Sequence, residues 1–471
     1  MLASSSSCWL AVTLCGMEAA KRAAVEIVKT LSERGYQAYL VGGCVRDLLL
    51  GREPADYDVA TDAVPSEVMA VFPRTWAVGA QFGVVLVPIP ADESCENLEP
   101  GPASHHHGCV EVATFRSDGT YTDGRHPDAV RFSKDAREDV QRRDFTINGM
   151  LLDPMNADEV IDYVGGRSDL EAGIIRTIGD ARRRFSEDKL RMLRSVRFAA
   201  RFGYEIEATT LAAIRELASQ IRVVSHERVR DELTKMLTEG RARRAFELLD
   251  ASSLLREVLP EIAKMKGVAQ PPQYHPEGDV WIHTLLLLEK LPPNSSPTLA
   301  WGALLHDVGK PPTYRVAPDR IRFDGHVEVG VRMTERLGRE LRFSNDELEQ
   351  VSALVENHMK FAEVTRMRES TLKRFMRLPR FEEHMALHRM DCLASHGDLS
   401  LYEFVKEKLE QTPVEEIRPA ALVKGQDLIA AGYKPGPRFK EILSAVEDGQ
   451  LEGRLQSREQ ALAYVRKEFS P

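Results

Sequence analysis

At 471 residues the chain is too long for one hydrophobic core, so two to four domains in series are expected. It is 43% hydrophobic and 29% charged, and no apolar run approaches the ~20 residues that span a bilayer, which argues against a helical membrane protein. A net charge of −9 speaks against a nucleic-acid partner only if the charge is spread evenly, and it is not. Between Ala181 and Arg201, "ARRRFSEDKLRMLRSVRFAAR" carries seven arginines and one lysine against Glu187 and Asp188, and "GRARRAF" adds Arg241, Arg243 and Arg244. So one-signed a run in an acidic protein points to a polyanion partner rather than a solvated helix face.

In chain order, "MLASSSSCWLAVTLCG" has the look of a secretory signal but lacks a basic start, and a clean amphipathic helix begins at Met17. Residues 1–16 read as an unstructured extension, with Met1 and Met17 both open as the start. Six cysteines at 8, 15, 44, 95, 109 and 392 form no C-x-x-C and no even framework, which suits a reducing compartment, with the cytoplasm as default. "AYLVGG", "DYDVAT", "GVVLVPI" and "CVEVATF" read as strands and "PSEVMAVF" as a helix with Ser66 near its N-cap, together a small α/β domain. "PADESCENLEPGPASHHHG" has loop composition, and its adjacent His105, His106 and His107 read as incidental. From about 165 to 265 the pattern is helical, with "SEDKLRMLRSVRFAARFGY" and "SHERVRDELTKMLTEG" each opening on Ser, and from about 275 helices continue, now rich in histidine.

Asp56 and Asp58 alternate with Tyr57 and Val59, so both carboxylates leave one face of a strand and repel unless a cation sits between them. A hard ion such as Mg²⁺, which takes oxygen ligands and keeps sites for phosphates, fits that pair. Glu111 is a candidate third carboxylate, on a neighbouring strand if the order is antiparallel. Gly42 and Gly43 lie between a strand and a helix, where backbone N–H groups approach a triphosphate and Arg46 supplies the counter-charge.

"LVGGCVRDLLLG…DYDVAT", "EVATFR", "RRDFTINGM" and "RFSEDKLRMLRSVRFAARFGY" resemble, in order and type, the motifs of class II tRNA nucleotidyltransferases and their bacterial poly(A) polymerase relatives, over about residues 35–250. The resemblance implies an α/β nucleotidyltransferase head with a small mixed sheet (17–164), a helical neck for nucleotide and RNA (165–265), and an all-α body and tail. It implies that Asp56, Asp58 and Glu111 are catalytic with Mg²⁺, and that Gly43 and Arg46 bind nucleotide. Arg143 would hold its phosphates, and Asp144 and Asn148 its ribose hydroxyls. Asp188 and Arg191, three apart and so on one helix face, would accept from an exocyclic amino group and donate to a ring nitrogen, which selects C and A over U and G. Arg194 and Arg197 continue at three-residue steps as further nucleotide-binding arginines. The stretch 117–141 resembles the flexible loop of members that add the terminal A, and "WAVGAQFGVVLV" lacks the basic element of the poly(A) polymerases.

"WIHTLLLLEKL", "LAWGALLHDVGK", "FDGHVEVG", "VENHMKF" and "HRMDCLASHG" resemble the HD phosphohydrolases over about 278–395, within a domain set at 275–400 and followed by a helical tail at 401–471. His283, His306, Asp307 and Asp391 are the candidate ligands of a second divalent metal there, with His326 and His358 close by in the pattern. The expected function is template-independent addition of C and A to the tRNA 3′ end from CTP and ATP. The expected partners are the tRNA acceptor stem and 3′ end, and the expected state is a monomer or homodimer. Competing readings are a CC-only, A-only or poly(A) enzyme, an HD phosphohydrolase, and a non-catalytic RNA-binding protein.

Overall fold

The computed structural model describes residues 5–77, 82–89, 108–119, 130–273 and 275–469. They divide into two compact units, one running to Glu232 with Leu248–Val258, the other comprising Leu233–Glu247 and the chain from Leu259 onward. The first opens with α1 (Ser5–Glu33). This helix starts well before Met17, so residues 5–16 are helical where an unstructured extension was expected. The stretch holds no proline, and once a helix is nucleated each further turn is cheap to add.

Six strands follow in one mixed sheet: β1 (Ala38–Val41), β2 (Asp58–Thr61), β3 (Val84–Pro88), β4 (Cys109–Thr114), and, after the short antiparallel pair β5 (Arg116–Asp118) and β6 (Val130–Phe132), β7 (Met150–Asp153) and β8 (Glu159–Asp162). Their order across the sheet is β3-β4-β2-β1-β7-β8. The central strands are buried at Leu40, Val41, Val59 and Ala60, as runs of β-branched and apolar residues covered on both faces must be. Between β1 and β2 lies α2 (Gly43–Leu49), and after β2 comes α3 (Pro65–Val71). The cap of α3 is Val64 rather than Ser66: Pro65 occupies the first helical position, and the Glu67 carboxylate accepts from the Val64 N–H. The stretch expected as a flexible loop is built where it is described, as β5, β6 and α4 (Ala136–Gln141), which Asp135 caps through the Arg137 N–H. The three adjacent histidines 105–107 and most of the loop around them fall outside the described residues.

A further correction concerns "EDKLR". The chain forms α5 (Ala181–Glu187), breaks at Asp188 with extended backbone (φ −145°, ψ 108°), and restarts as α6 (Leu190–Phe202). Asp188 therefore shares no helix face with Arg191. Its side chain accepts from the Leu190 N–H at 3.0 Å, a local side-chain-to-backbone bond of the kind that competes with helix continuation.

The second unit is helical. The helices α7 (Val280–Glu289) and α8 (Pro297–Leu305) are apolar on nearly all sides, as suits buried helices, and Ser296 caps α8 with Pro297 at its first position. They pack with α10 (Asn345–Asn357) and α11 (Phe381–Ala394), and α9 (His326–Glu340) packs against α10. Phe361, Phe375, Phe381 and Met385 form one core nearby, and Val423, Leu428, Tyr433 and Ile442 form another towards the C-terminus.

Candidate active site

The first site is set by strand register. β2 and β4 are parallel, with Asp58 directly opposite Glu111. Glu111 is on the neighbouring strand as expected, but parallel rather than antiparallel, because the chain crosses over through α3 and β3 before β4 inserts between β3 and β2. Asp56 lies two residues before Asp58, on the same face by the alternation that buries Tyr57 and Val59. Burial, then Glu111 and Asp56, push the Asp58 carboxyl up to about 7, against the pull of Arg143. That is an acidic cluster with too little positive charge of its own, and its hard oxygen donors fit a divalent cation. Even so, its carboxylate oxygens do not gather: among the described residues, three ligand atoms within 4.8 Å of one another occur only at the histidine clusters of the second unit.

Gly42 brings backbone up to these carboxylates. Its φ of +80° favours glycine, and a Cβ there would stand 3.8 Å from Asp58 Oδ2 and 3.6 Å from Arg143 Nη1. Arg143 is anchored by donating to buried Asp139 (Nη2 to Oδ2, 2.9 Å), which also takes Arg142 (2.7 Å). Asp144 accepts from the Phe145 N–H at 2.8 Å and pairs with Arg194 at 2.7 Å; burial alone would raise it, but Arg194 and Arg191 hold it below the usual carboxylate range. Asn148 donates to Asp144 at 3.3 Å and accepts from Arg46 at 2.6 Å.

Arg46 departs from expectation. It is 4% exposed, its guanidinium forks onto Asp47 (2.8 and 2.9 Å) and lies 4.6 Å from the centre of the Phe202 ring. The first turn of α2 points it inward, so it braces the glycine turn instead of facing a triphosphate. Arg197 departs likewise: it is buried and donates to Glu232 at 2.7 Å. Steps of three residues advance ~300° around a helix, so positions drift ~60° per step and Arg197 leaves the face of Arg191. Arg191 itself donates to Glu187 at 2.8 Å and to the Arg142 carbonyl at 3.3 Å, while Asp188 receives both guanidinium nitrogens of Arg228, at 3.2 and 2.7 Å. Arg228 is a member of this network that no spacing in the sequence announces.

The second site lies wholly in the second unit. His283 Nε2 is 3.1 Å from Asp391 Oδ1 and 3.3 Å from His306 Nε2, and His306 Nε2 is 3.2 Å from Asp307 Oδ2. Lys310 meets the same Asp307 oxygen at 2.7 Å. Burial opposes ionisation of Asp307, but Lys310 and His306 hold its carboxyl well below the ordinary range. Burial would lower His283, yet Asp391 and Glu277 against its two nitrogens push it up to about 9. Glu277, absent from the expected set, accepts from His283 Nδ1 at 2.7 Å and leaves Nε2 for the cluster. Gly309 makes the "HDVGK" turn possible, since a Cβ there would collide with the backbone of His326 and Gly330 in α9. The four expected ligands are linked by short contacts, and imidazole with carboxylate donors suits a borderline divalent metal.

Three family models match in succession: "Poly A polymerase head domain" over residues 38–176, "Probable RNA and SrmB- binding site of polymerase A" over 203–266, and "HD domain" over 279–396. The CCA-adding enzyme of Geobacillus thermodenitrificans is 42% identical over 241 residues, 51% of this chain and 55% of the relative. In that alignment the chain spans about half the relative's length. The CCA-adding enzyme of Streptococcus mutans serotype c is 31% identical over 448 residues, 95% of this chain and 97% of the relative. The chain belongs to the family of CCA-adding enzymes. A crystal structure of the Bacillus stearothermophilus CCA-adding enzyme in complex with CTP superposes with a TM-score of 0.71 at 27% identity, covering 95% of this chain and 96% of that one. The α/β head with its mixed sheet and the helical HD region are thus those of a CCA-adding enzyme, a nucleotidyltransferase family fold.

Proposed function

We propose that this chain is a CCA tRNA nucleotidyltransferase, adding C and A to the 3′ end of tRNA from CTP and ATP without a nucleic-acid template. The observation that carries the reading is the register that sets Asp58 opposite Glu111 beneath Gly42, on a chain aligned along 97% of the Streptococcus relative. Asp56 and Asp58 would hold Mg²⁺, with Glu111 alongside. When bound, the ion supplies alignment of the attacking 3′-hydroxyl and neutralisation of departing pyrophosphate. The chain's own residues do the rest. Arg143, held by Asp139, offers its remaining N–H groups to phosphate, and the paired Asp144 and Asn148 present polar atoms of fixed orientation to ribose. Asp188 accepts from an exocyclic amino group and Arg191 donates to a ring nitrogen, while Arg228 and Glu187 keep each from swinging away. Gly43 lets the backbone approach the nucleotide.

In this reading the head (17–164) carries the chemistry, the neck (165–265) the nucleotide and acceptor stem, and the body (275–400) and tail (401–471) the rest of the tRNA. The arginine-rich neck grips A-form RNA by phosphate and shape. Free Cys44, Cys109 and Cys392 accord with a cytoplasmic enzyme, and no described helix is long and apolar enough to cross a membrane. The deciding experiment supplies CTP and ATP with tRNA ending before C, tRNA ending after CC, and an unrelated RNA, and sequences the products. CCA confined to tRNA supports the reading; long A-tails on any RNA, or stalling after CC, would replace it with a poly(A) or partial enzyme.

A second activity is favoured by the convergence of His283, His306, Asp307 and Asp391: metal-dependent hydrolysis of a phosphoester in the helical unit. Turnover of a phosphoester by the intact chain, lost in Asp307→Ala, tests it.

A further inference from the structure

The helix α11 lines two different cavities. His388, Asp391, Cys392 and Ser395 line one of about 570 Å³ that also reaches His326, His358 and Met359. Glu382, Met385, Ala386 and Arg389, spaced i, i+3, i+4 and i+7, line another of about 490 Å³, and the two share no lining residue. Across the second cavity stands the next helix (Ser400–Gln411), with Tyr402, Lys406 and Leu409 at i, i+4 and i+7. Helix faces built at such spacing ordinarily close on one another. Here they leave a gap.

The gap is an opening into a core. Phe381, Met385 and Met376, the last from the preceding helix (Glu369–Met376), belong to the core around Phe361, and Tyr402 and Leu409 pack against it while staying half-buried. Met390 completes a floor of three methionines. Unbranched thioether side chains adapt to an occupant's shape, so this floor accepts apolar groups of more than one form. The volume falls in the ~300–1,000 Å³ range of small-molecule sites, whose usual lining is mostly apolar with a few polar groups.

The rim is charged one way. Lys290 at the end of α7, Arg389 and Lys406 face only one lining carboxylate, Glu382. Lys290 and Arg389 are exposed and form no ion pair among the described residues, and Lys406 meets only Glu403, at 3.7 Å on the surface. Other arginines of this unit are taken: Arg374 by Glu447, Arg336 by Glu261 and Arg315 by Asp324. Low-dielectric walls concentrate the field of unpaired cations, so the mouth favours an anion. Tyr402, whose hydroxyl has no hydrogen-bond partner among the described residues, can donate to its head. A bare anion would leave the methionine floor uncovered, and a neutral apolar molecule would leave the cations unmatched.

We propose that this cavity binds a small amphiphilic anion, an apolar chain or ring ending in carboxylate or phosphate. The test uses the full-length chain with ¹³C-methyl methionine, and decanoate, decyl phosphate and decylammonium as probes. Met376→Leu, Met385→Leu and Met390→Leu assign the three resonances. Decanoate or decyl phosphate should shift those methyls saturably and leave Met150 and Met192, buried in the first unit, unmoved. Whichever of the two binds more tightly names the head group. Decylammonium, with the same chain and the opposite charge, should bind at least about 10-fold more weakly, and Lys290→Gln with Arg389→Gln should weaken decanoate by about 10-fold. No shift at the three methyls, a shift at Met359 alone, or equal binding of anion and cation overturns the proposal. The comparison of anion with cation needs no variant, so it decides even where the double variant is unstable.

Discussion

The carboxylate site of the sheet and the histidine site of the helices answer the problem of holding a cation in opposite ways. In the sheet, Asp58 and Glu111 are neighbours by register, but the oxygens of the acidic trio stay apart, and the charge is left unbalanced enough to push Asp58 up to about 7. In the helices the donors already stand in trios whose ligand atoms lie within 4.8 Å of one another, buried or half-buried, and oriented by Glu277, Lys310 and backbone carbonyls. A site that shares its ion with an incoming triphosphate gains from being incomplete, since phosphate oxygens supply missing ligands. A site with a resident ion gains from being prebuilt, because no ordering cost remains at binding.

Asp58→Ala breaks the comparison on the sheet side and has the largest expected effect. Single-nucleotide addition to tRNA should slow by about 10³-fold or more, some 4 kcal/mol of barrier, with metal content of the helical unit unchanged. On the helical side, Glu277→Gln should leave the fold intact but weaken metal binding by about 10–100-fold in a chelator competition, since His283 loses its orienting carboxylate. Equal affinity in the two proteins would mean the site is not prebuilt in the sense argued. Next in size, Asp188→Asn should reduce the preference for CTP over UTP by about 10-fold, about 1.4 kcal/mol, read as the ratio of kcat/KM values, because the amide can donate where the carboxylate only accepts.

The smallest effect is thermal. Because the folded chain holds the Asp58 carboxyl above its unfolded range, the Asp58 contribution to stability is complete at low pH and is lost as pH rises from about 4 through about 7. Without metal, melting of the first unit should therefore fall by a few °C over that window, and Mg²⁺ should restore more at pH 8 than at pH 5. In Asp58→Asn both the slope and the Mg²⁺ gain should shrink. A slope unchanged by that substitution would assign the pH response to another group.

Local chemistry was legible in the sequence. The glycine pair that opens α2, the Asp56–Asp58 alternation, the "HDVGK" turn and the distant histidines announce their chemistry through residue type and short spacing, and the structure brings His283, His306 and Asp391 into one trio with Asp307 3.2 Å from His306. Partners were not legible, because a side chain's partner is chosen by what packs against it from elsewhere in the chain. Arg46 and Arg191 are both arginines near a nucleotide motif, yet one is folded inward onto Asp47 and Phe202 and the other is held by Glu187 close to the surface. Asp188 looked helical by spacing, and only the break between α5 and α6, with Arg228 to receive it, aims its carboxylate. Even Glu111, expected on a neighbouring strand, needed the crossover through β3 to settle which way its strand runs. Periodicity and residue chemistry act over a few residues and can be read from the chain itself; register, inward or outward aim and second partners are decided where segments a hundred residues apart meet, as Arg46 and Asn148 do.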